Sequence, residues 1–477
     1  MTPRRNVAFL GPASVLGSAA IKNVAGETMA GEPEVQVSHF LDQYGVGPFH
    51  YKLLFWTVLL ALVDGYDIGA VAFAAPSLIK EWHVAPKDLG LVLSASNFGV
   101  LFGSQIFGWI GDRYGRKTAL ISANLLFGLF TFIAAYSTNL TELSLLRFIA
   151  GLGIGGVIPN VVAINAESAP RNRRATLAII ASGMVPLGGS FAGFASAAFV
   201  PTYGWQVLFY IGGIAPVIFA LLGIMFLPES VKFMAIHEGH RQKMVELLKE
   251  IRPDFTVPPN ARFVIEDEKQ SPSNPASLFR EGLAAITPLT WLMFACNLMG
   301  YFFLLSWTPT LLGAAHVPPA TAALAGAGLQ VGGTVGSLLL CWWLQRARFL
   351  AVAIMFVIAV PIVASIGYVG LNSTTALLVI TFFAGFIVLG IQSGINVVGA
   401  LIYPTSLRAN GSGWQLGIGR IGAIIGPFIG AQFATLPVTE LYMWSAIPFA
   451  AGAVVAFVIY LLVAARLRAR PELAQAQ

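Results

Sequence analysis

The sequence predicts an all-α integral membrane protein: twelve transmembrane helices in two pseudo-symmetric six-helix halves. Three observations predict it. Of 477 residues, 56% are hydrophobic and only 10% charged, where a soluble domain carries about 25% charged residues. The apolar runs have the length of a bilayer-crossing helix, about 20 residues, and lack the alternation of barrel strands. One polar interval then divides the runs into two groups of six.

Residues 1–50 carry Arg4 and Arg5 but no apolar run ending in a small-residue cleavage site. They read as a polar extension, disordered in character, and not as a signal peptide. Spans 1–6 follow at 52–76, 89–110, 118–138, 142–165, 175–199 and 207–227, giving an N-terminal bundle over 51–228. The polar loop 229–287 holds Lys232, Arg241, Lys243, Glu246 and the Glu266-Asp267-Glu268 triplet. Spans 7–12 fall at 288–312, 320–344, 349–370, 375–400, 408–435 and 441–465, giving a C-terminal bundle over 288–465 and a tail over 466–477. Span 11 is long enough to include some loop or to tilt. Pro186, Pro216, Pro361 and Pro427 mark kinks. Cys296 and Cys341 both lie in apolar spans, which argues against a disulfide framework.

Lys and Arg in short loops set the orientation. With the N-terminus inside, inner loops and tail carry Arg113, Arg116, Lys117, Arg171, Arg173, Arg174, Arg346, Arg348, Arg408, Arg466, Arg468 and Arg470, and outer loops only Lys80 and Lys87. Both termini are therefore expected in the cytoplasm. The net charge of +6 follows from this topology and does not call for nucleic acid. A six-plus-six layout with a large inner loop places a ligand site near the midplane between the halves. No Ser-His-Asp set, metal cluster or phosphate-binding loop is present in the sequence, so no enzyme, cofactor or ATP-driven pump is expected. Gly-Leu-Gly-Ile-Gly-Gly at 151–156 lacks a surrounding βαβ unit. With Gly99, Gly103, Gly422, Gly426 and Gly430 it reads as helix packing.

Two aspartates, Asp64 and Asp67, sit inside span 1. A mid-span carboxylate costs roughly 2.5–3.5 kcal/mol on insertion scales, and two roughly double that. A helix that only spans would use Leu or Val there, so both acids are expected to face a water-lined cavity and handle charge. The alternative is an interhelical hydrogen-bond clamp. Spacing of i, i+3 puts them about 60° apart, one turn along the axis. Two arginines lie in the spans as well, Arg147 in span 4 and Arg420 about mid-span in span 11. A buried guanidinium needs an acid or a bound anion. Either each arginine pairs permanently with an aspartate, or protonation of an aspartate frees the fork for a substrate carboxylate. Tyr66, Tyr301, Phe303 and Trp414 place aromatic side chains near the midplane.

The loop after span 2 reads Gly108-Trp109-Ile110-Gly111-Asp112-Arg113-Tyr114-Gly115-Arg116-Lys117. It combines an acid at a helix end, a glycine turn and a basic cluster, able to hold one conformation closed. It resembles the signature loop of the major facilitator superfamily. Trp342-Trp343-Leu344-Gln345-Arg346 is its degraded counterpart, with Gln345 where an acid is expected. Glu167, at the end of span 4, reads as an inner-surface salt bridge or as a gate residue beside Arg171 and Arg173. Asp64-Gly65-Tyr66-Asp67, Arg147-Phe148-Ile149-Ala150-Gly151, Tyr403-Pro404-Thr405-Ser406-Leu407-Arg408-Ala409 and Gly417-Ile418-Gly419-Arg420 resemble the aromatic acid:proton symporter family of that superfamily.

The resemblance covers about residues 50–465. It implies proton-driven import of benzoate-like or hydroxybenzoate-like acids across a bacterial inner membrane, with substrate, protons and lipid as the partners. Proton coupling then falls to Asp64 and Asp67. Substrate binding falls to Arg420, Arg147 and the four aromatics, and gating to Gly108, Asp112, Arg113, Gly115, Arg116, Glu167 and Arg408. A sugar or other organic-solute porter of the superfamily, or a non-transporting membrane sensor, remains the alternative.

Overall fold

The computed structural model describes residues 25–26, 34–252, 254–258, 261–265, 274–280, 282–368, 370–403 and 407–469. Span 1 is Pro48–Trp82, span 2 Leu89–Tyr114, span 3 Arg116–Ala134, span 4 Leu140–Ser168 and span 6 Gln206–Phe226. Span 5 is broken into Arg174–Ser182 and Val185–Tyr203, one turn around the expected kink at Pro186. In the second half, span 7 is Ile286–Ala314, span 10 Thr374–Ile402 and span 11 Arg408–Gln432, and span 12 combines Val438–Ser445 with Ile447–Ala469.

Spans 8 and 9 run through one continuous assignment of helical residues, Pro319–Tyr368, that takes in the predicted turn at 345–348. A straight helix would hold Leu340 and Met355 about 22 Å apart. Both meet the α-carbon face of Gly390, so the chain reverses between them. Among the described residues, eleven stretches are long and apolar enough to cross a bilayer. Span 11 is the twelfth. Its 25 residues suffice in length, and its hydropathy is diluted by Asn410, Gln415 and Arg420.

The two halves repeat one packing scheme. Span 2 packs on 4, span 1 on 5 and span 3 on 6. In the second half, span 8 packs on 10, span 7 on 11 and span 9 on 12. Glycines permit this closeness. A Cβ at Gly99 would collide with the Phe148 carbonyl, and one at Gly422 with that of Ala295.

The halves meet through spans 2 and 11, 5 and 8, and 1 and 7. Two of their hydrogen bonds lie toward the start of span 2 and the end of span 11. Ser94 Oγ donates to the Ile424 carbonyl at 3.0 Å, and Asn97 Nδ2 to that of Ala423 at 3.0 Å. Residues 413, 417, 420 and 424 share one stripe of span 11. On that stripe Ile424 is in contact with span 2, while Gly413 and Gly417 have no foreign atom within 4 Å of where a Cβ would stand. Gly108, at the corresponding end of span 2, is equally free. The halves thus close at the start of span 2 and part toward its end, near Gly108.

The expectation of a polar, disordered extension over 1–50 is corrected from Glu34 onward. Residues 1–24 and 27–33 lie outside the described residues, as do Glu266-Asp267-Glu268. Glu34–Gln36 pairs in parallel with Arg262–Val264 of the central loop. Helix Val37–Tyr44 buries Val37, Phe40 and Leu41. Its Phe40 ring lies 4.8 Å from that of Phe255, and Met244 and Leu248 of helix Arg241–Ile251 join the same core. Apolar residues at 37, 40, 41 and 44 form a helical stripe that a composition reading passes over. Asp42 fastens this cap to the bundle, accepting from the Arg171 backbone N–H at 2.7 Å.

Candidate functional site

Asp64 and Asp67 are both buried, at 1% and 0% exposure, but they do not share one cavity. The 60° between them suffices to aim them at different neighbours. Asp67 points into the N-terminal half and meets Arg147, which is itself fully buried. Arg147 Nη2 lies 2.5 Å from Asp67 Oδ2 and Nη1 3.0 Å from Oδ1, a bidentate pair. Thr131 Oγ1 donates to Oδ1 at 2.6 Å, Arg147 Nη1 donates to Thr131 at 3.1 Å, and Arg147 Nε donates to Ser96 Oγ at 3.1 Å. The guanidinium also faces the Phe209 ring at 5.8 Å. Arg147, expected as one of two anchors for a substrate carboxylate, has its fork taken by Asp67.

Asp64 differs. It accepts no hydrogen bond among the described residues, and its Oδ1 is buried without a partner. It lies one turn from Ile68, which lines a small cleft of about 20 Å³ between the halves with Val71, Ser96, Asn97, Phe302 and Ser306. Two charges act on it, the nearby Asp67 first and Arg420, with the opposite sign, second. Arg420 stands at mid-span on the half-facing stripe of span 11, half-buried, with Nη1 donating to the Val100 carbonyl at 3.2 Å. No ion pair joins Asp64 and Arg420. The structure therefore sorts two acids and two arginines into one closed pair and one open pair.

The aromatic candidates part company. Tyr66 is buried against Gly212 inside the N-terminal half. Phe303 fills the space beside Gly430 between spans 7 and 11. Trp414 is exposed and lies 6.1 Å from the Trp291 ring, toward the termini face. Only Tyr301 makes a polar contact, donating its hydroxyl to Gln330 Oε1 at 3.1 Å. Nearby, Asn297 Nδ2 donates to Gln392 Oε1 at 2.7 Å. These three amides did not enter the sequence reading, although lone Asn and Gln in apolar spans were the available signal.

The signature loop forms a network within one half. Arg116 Nη2 lies 2.7 Å from Asp112 and 2.8 Å from Glu167, and Ser230 Oγ donates to Glu167 at 2.5 Å. Gly115 turns at φ +98°, a region that favours glycine. A Cβ there would collide with Glu229. Glu229 in turn accepts from the Lys117 backbone N–H at 3.0 Å. Burial pushes the Glu229 carboxyl above the usual range, opposed by the backbone N–H groups of Lys117, Ser230 and Arg116. Arg113 lies over the Trp109 and Tyr114 rings, at 5.5 and 5.8 Å. Arg408 is exposed at the start of span 11, and residues 404–406 before it lie outside the described residues.

Residues 57–427 match the Major Facilitator Superfamily. The chain is 33% identical over 403 residues to the 4-hydroxybenzoate transporter PcaK of Pseudomonas aeruginosa, covering 84% of this chain and 90% of that one. It is 30% identical over 438 residues to the benzoate transport protein of Acinetobacter baylyi, covering 89% and 93%. Among solved structures, the xylose transporter XylE of E. coli shares the fold, with a TM-score of 0.65 at 15% identity, covering 85% of this chain and 98% of that one. The chain is thus a transporter rather than an enzyme. It belongs to the major facilitator superfamily and, within it, to the family of the 4-hydroxybenzoate and benzoate transporters.

Proposed function

We propose that this protein imports an aromatic carboxylate together with protons, across a bacterial inner membrane and with both termini in the cytoplasm. The observation that supports this best is the open pair at mid-membrane: Asp64, buried with an orphan carboxylate oxygen, and Arg420, which has no ion-pair partner among the described residues. A buried carboxylate without a partner is costly as an anion and relieved by a proton. A buried guanidinium without a fixed acid partner is satisfied by an exchangeable anion.

The cycle follows from that pair. A proton from outside neutralises Asp64 and leaves the Arg420 fork for the substrate carboxylate. With both charges satisfied, the halves rock and open toward the cytoplasm. Loss of the proton restores the Asp64 charge, which competes for Arg420 and expels the substrate. The Asp67–Arg147 pair keeps the helices of the N-terminal half in register through the cycle, and the Asp112–Arg116–Glu167 network steadies its inner end.

Energetics give coupling its purpose. An anion entering a negative interior moves against about 2.3 kcal/mol per 100 mV. Entry with the proton that Asp64 carries cancels that cost, and the pH gradient supplies the drive. A neutral sugar offers Arg420 nothing, and a non-transporting sensor has no use for a cleft that opens to one face. Uptake of labelled 4-hydroxybenzoate into reconstituted vesicles separates these readings. Accumulation above the external concentration is expected under an inside-alkaline gradient, and its collapse when a protonophore is added. Equal uptake with and without the gradient would overturn the coupling, and no uptake of any aromatic acid would overturn the substrate class.

A further inference from the structure

The C-terminal half carries a polar layer that the charge cycle does not use. Asn297 and Tyr301 lie four residues apart on one face of span 7. Asn297 is fully buried and Gln330 is 2% exposed. Asn297 gives its Nδ2 to Gln392 on span 10, and its Oδ1 is left buried without a partner. Tyr301 donates to Gln330 on span 8. The Gln330 amide reaches across to span 5, where only a glycine, Gly189, leaves room for it. Tyr301 is near the middle of span 7 and Gln330 near the middle of span 8, the depth at which Asp64 and Arg420 sit in their own spans.

Buried amides in a membrane are costly. Packing alone would be served by Leu or Ala, and here three helices of one half bring four polar side chains into two hydrogen-bonded pairs along one face of span 7. Whichever way each amide is turned, the layer offers both donors and acceptors and no charge. A phenolic hydroxyl, at once donor and acceptor, is the complementary group.

We propose that Asn297, Tyr301, Gln330 and Gln392 form a neutral hydrogen-bonding subsite for a ring hydroxyl of the substrate, so that hydroxylated aromatic acids are favoured over benzoate. The inference rests on the aromatic-carboxylate reading above and deepens it. Arg420 takes the carboxylate, which all such acids share. The subsite, on spans 7, 8 and 10 of the same C-terminal half, takes the substituent, which distinguishes them.

The test is the ratio of kcat/KM for 4-hydroxybenzoate over benzoate in vesicles, which does not depend on how much folded protein reaches the membrane. A wild-type ratio of roughly ten or more is expected, the scale of one or two neutral hydrogen bonds. It should fall several-fold toward one in Gln392→Met and in Tyr301→Phe. The latter removes one hydroxyl and keeps the ring, so its fold is retained. A wild-type ratio near one, or a ratio unmoved by both substitutions, overturns the subsite and leaves the transport reading intact. Uptake of neither acid by the wild type overturns the transport reading and the subsite with it.

Discussion

Asp67→Asn is expected to destabilise the purified protein by about 3–5 kcal/mol, the cost of leaving one member of a buried ion pair uncompensated. The partner left behind is Arg147, fully buried and unable to shed its charge. Thr131 and Ser96 remain as neighbours, but hydroxyls cannot balance a guanidinium. Arg147→Gln should do comparable damage by stranding Asp67. The double variant, Asp67→Asn with Arg147→Gln, replaces two charges by two amides and should recover much of the loss, because the coupling between contacting residues is the term being removed. Thermal unfolding in detergent measures all three. Equal stability of the single variants and wild type would show that Asp67 and Arg147 do not form this pair.

Arg420→Lys is expected to weaken binding of the free acid by roughly 1.5–3 kcal/mol, the scale of a charged hydrogen bond. Lys keeps the charge but loses the planar fork that meets a carboxylate in two places. An amide or ester of the same acid should bind wild type poorly and be nearly insensitive to the substitution, since it has no carboxylate for the fork. Binding measured in detergent separates this from effects on rate. Wild-type affinity for the acid in Arg420→Lys would return Arg420 to a structural role.

The twelve spans were legible because hydropathy and length read directly along the chain, and span 11 was legible in spite of Arg420. That Asp64 and Asp67 matter was equally readable from their cost in a bilayer. Which acid serves which arginine was not, because the pairing depends on how spans 1, 2, 3 and 4 pack around Thr131 and Ser96. The four ring candidates show the same limit. Aromatic residues are as useful in a core as at a site, and Phe303 packs against Gly430 of another helix. Asn297, Gln330 and Gln392 went unread beside louder charges. The cap formed by residues 34–44 escaped because Phe40 finds Phe255 across six intervening spans.

The central claim is that one proton carrier, Asp64, ties substrate import to the proton gradient. The measurement that tests it most directly is the steady-state accumulation ratio of labelled 4-hydroxybenzoate in vesicles, taken against the size of an imposed inside-alkaline gradient. For wild type the ratio should climb with the gradient. For Asp64→Asn, present in the membrane at comparable amount, it should stay near one at every gradient. An Asp64→Asn variant whose ratio still climbs as the wild type's does would contradict the account.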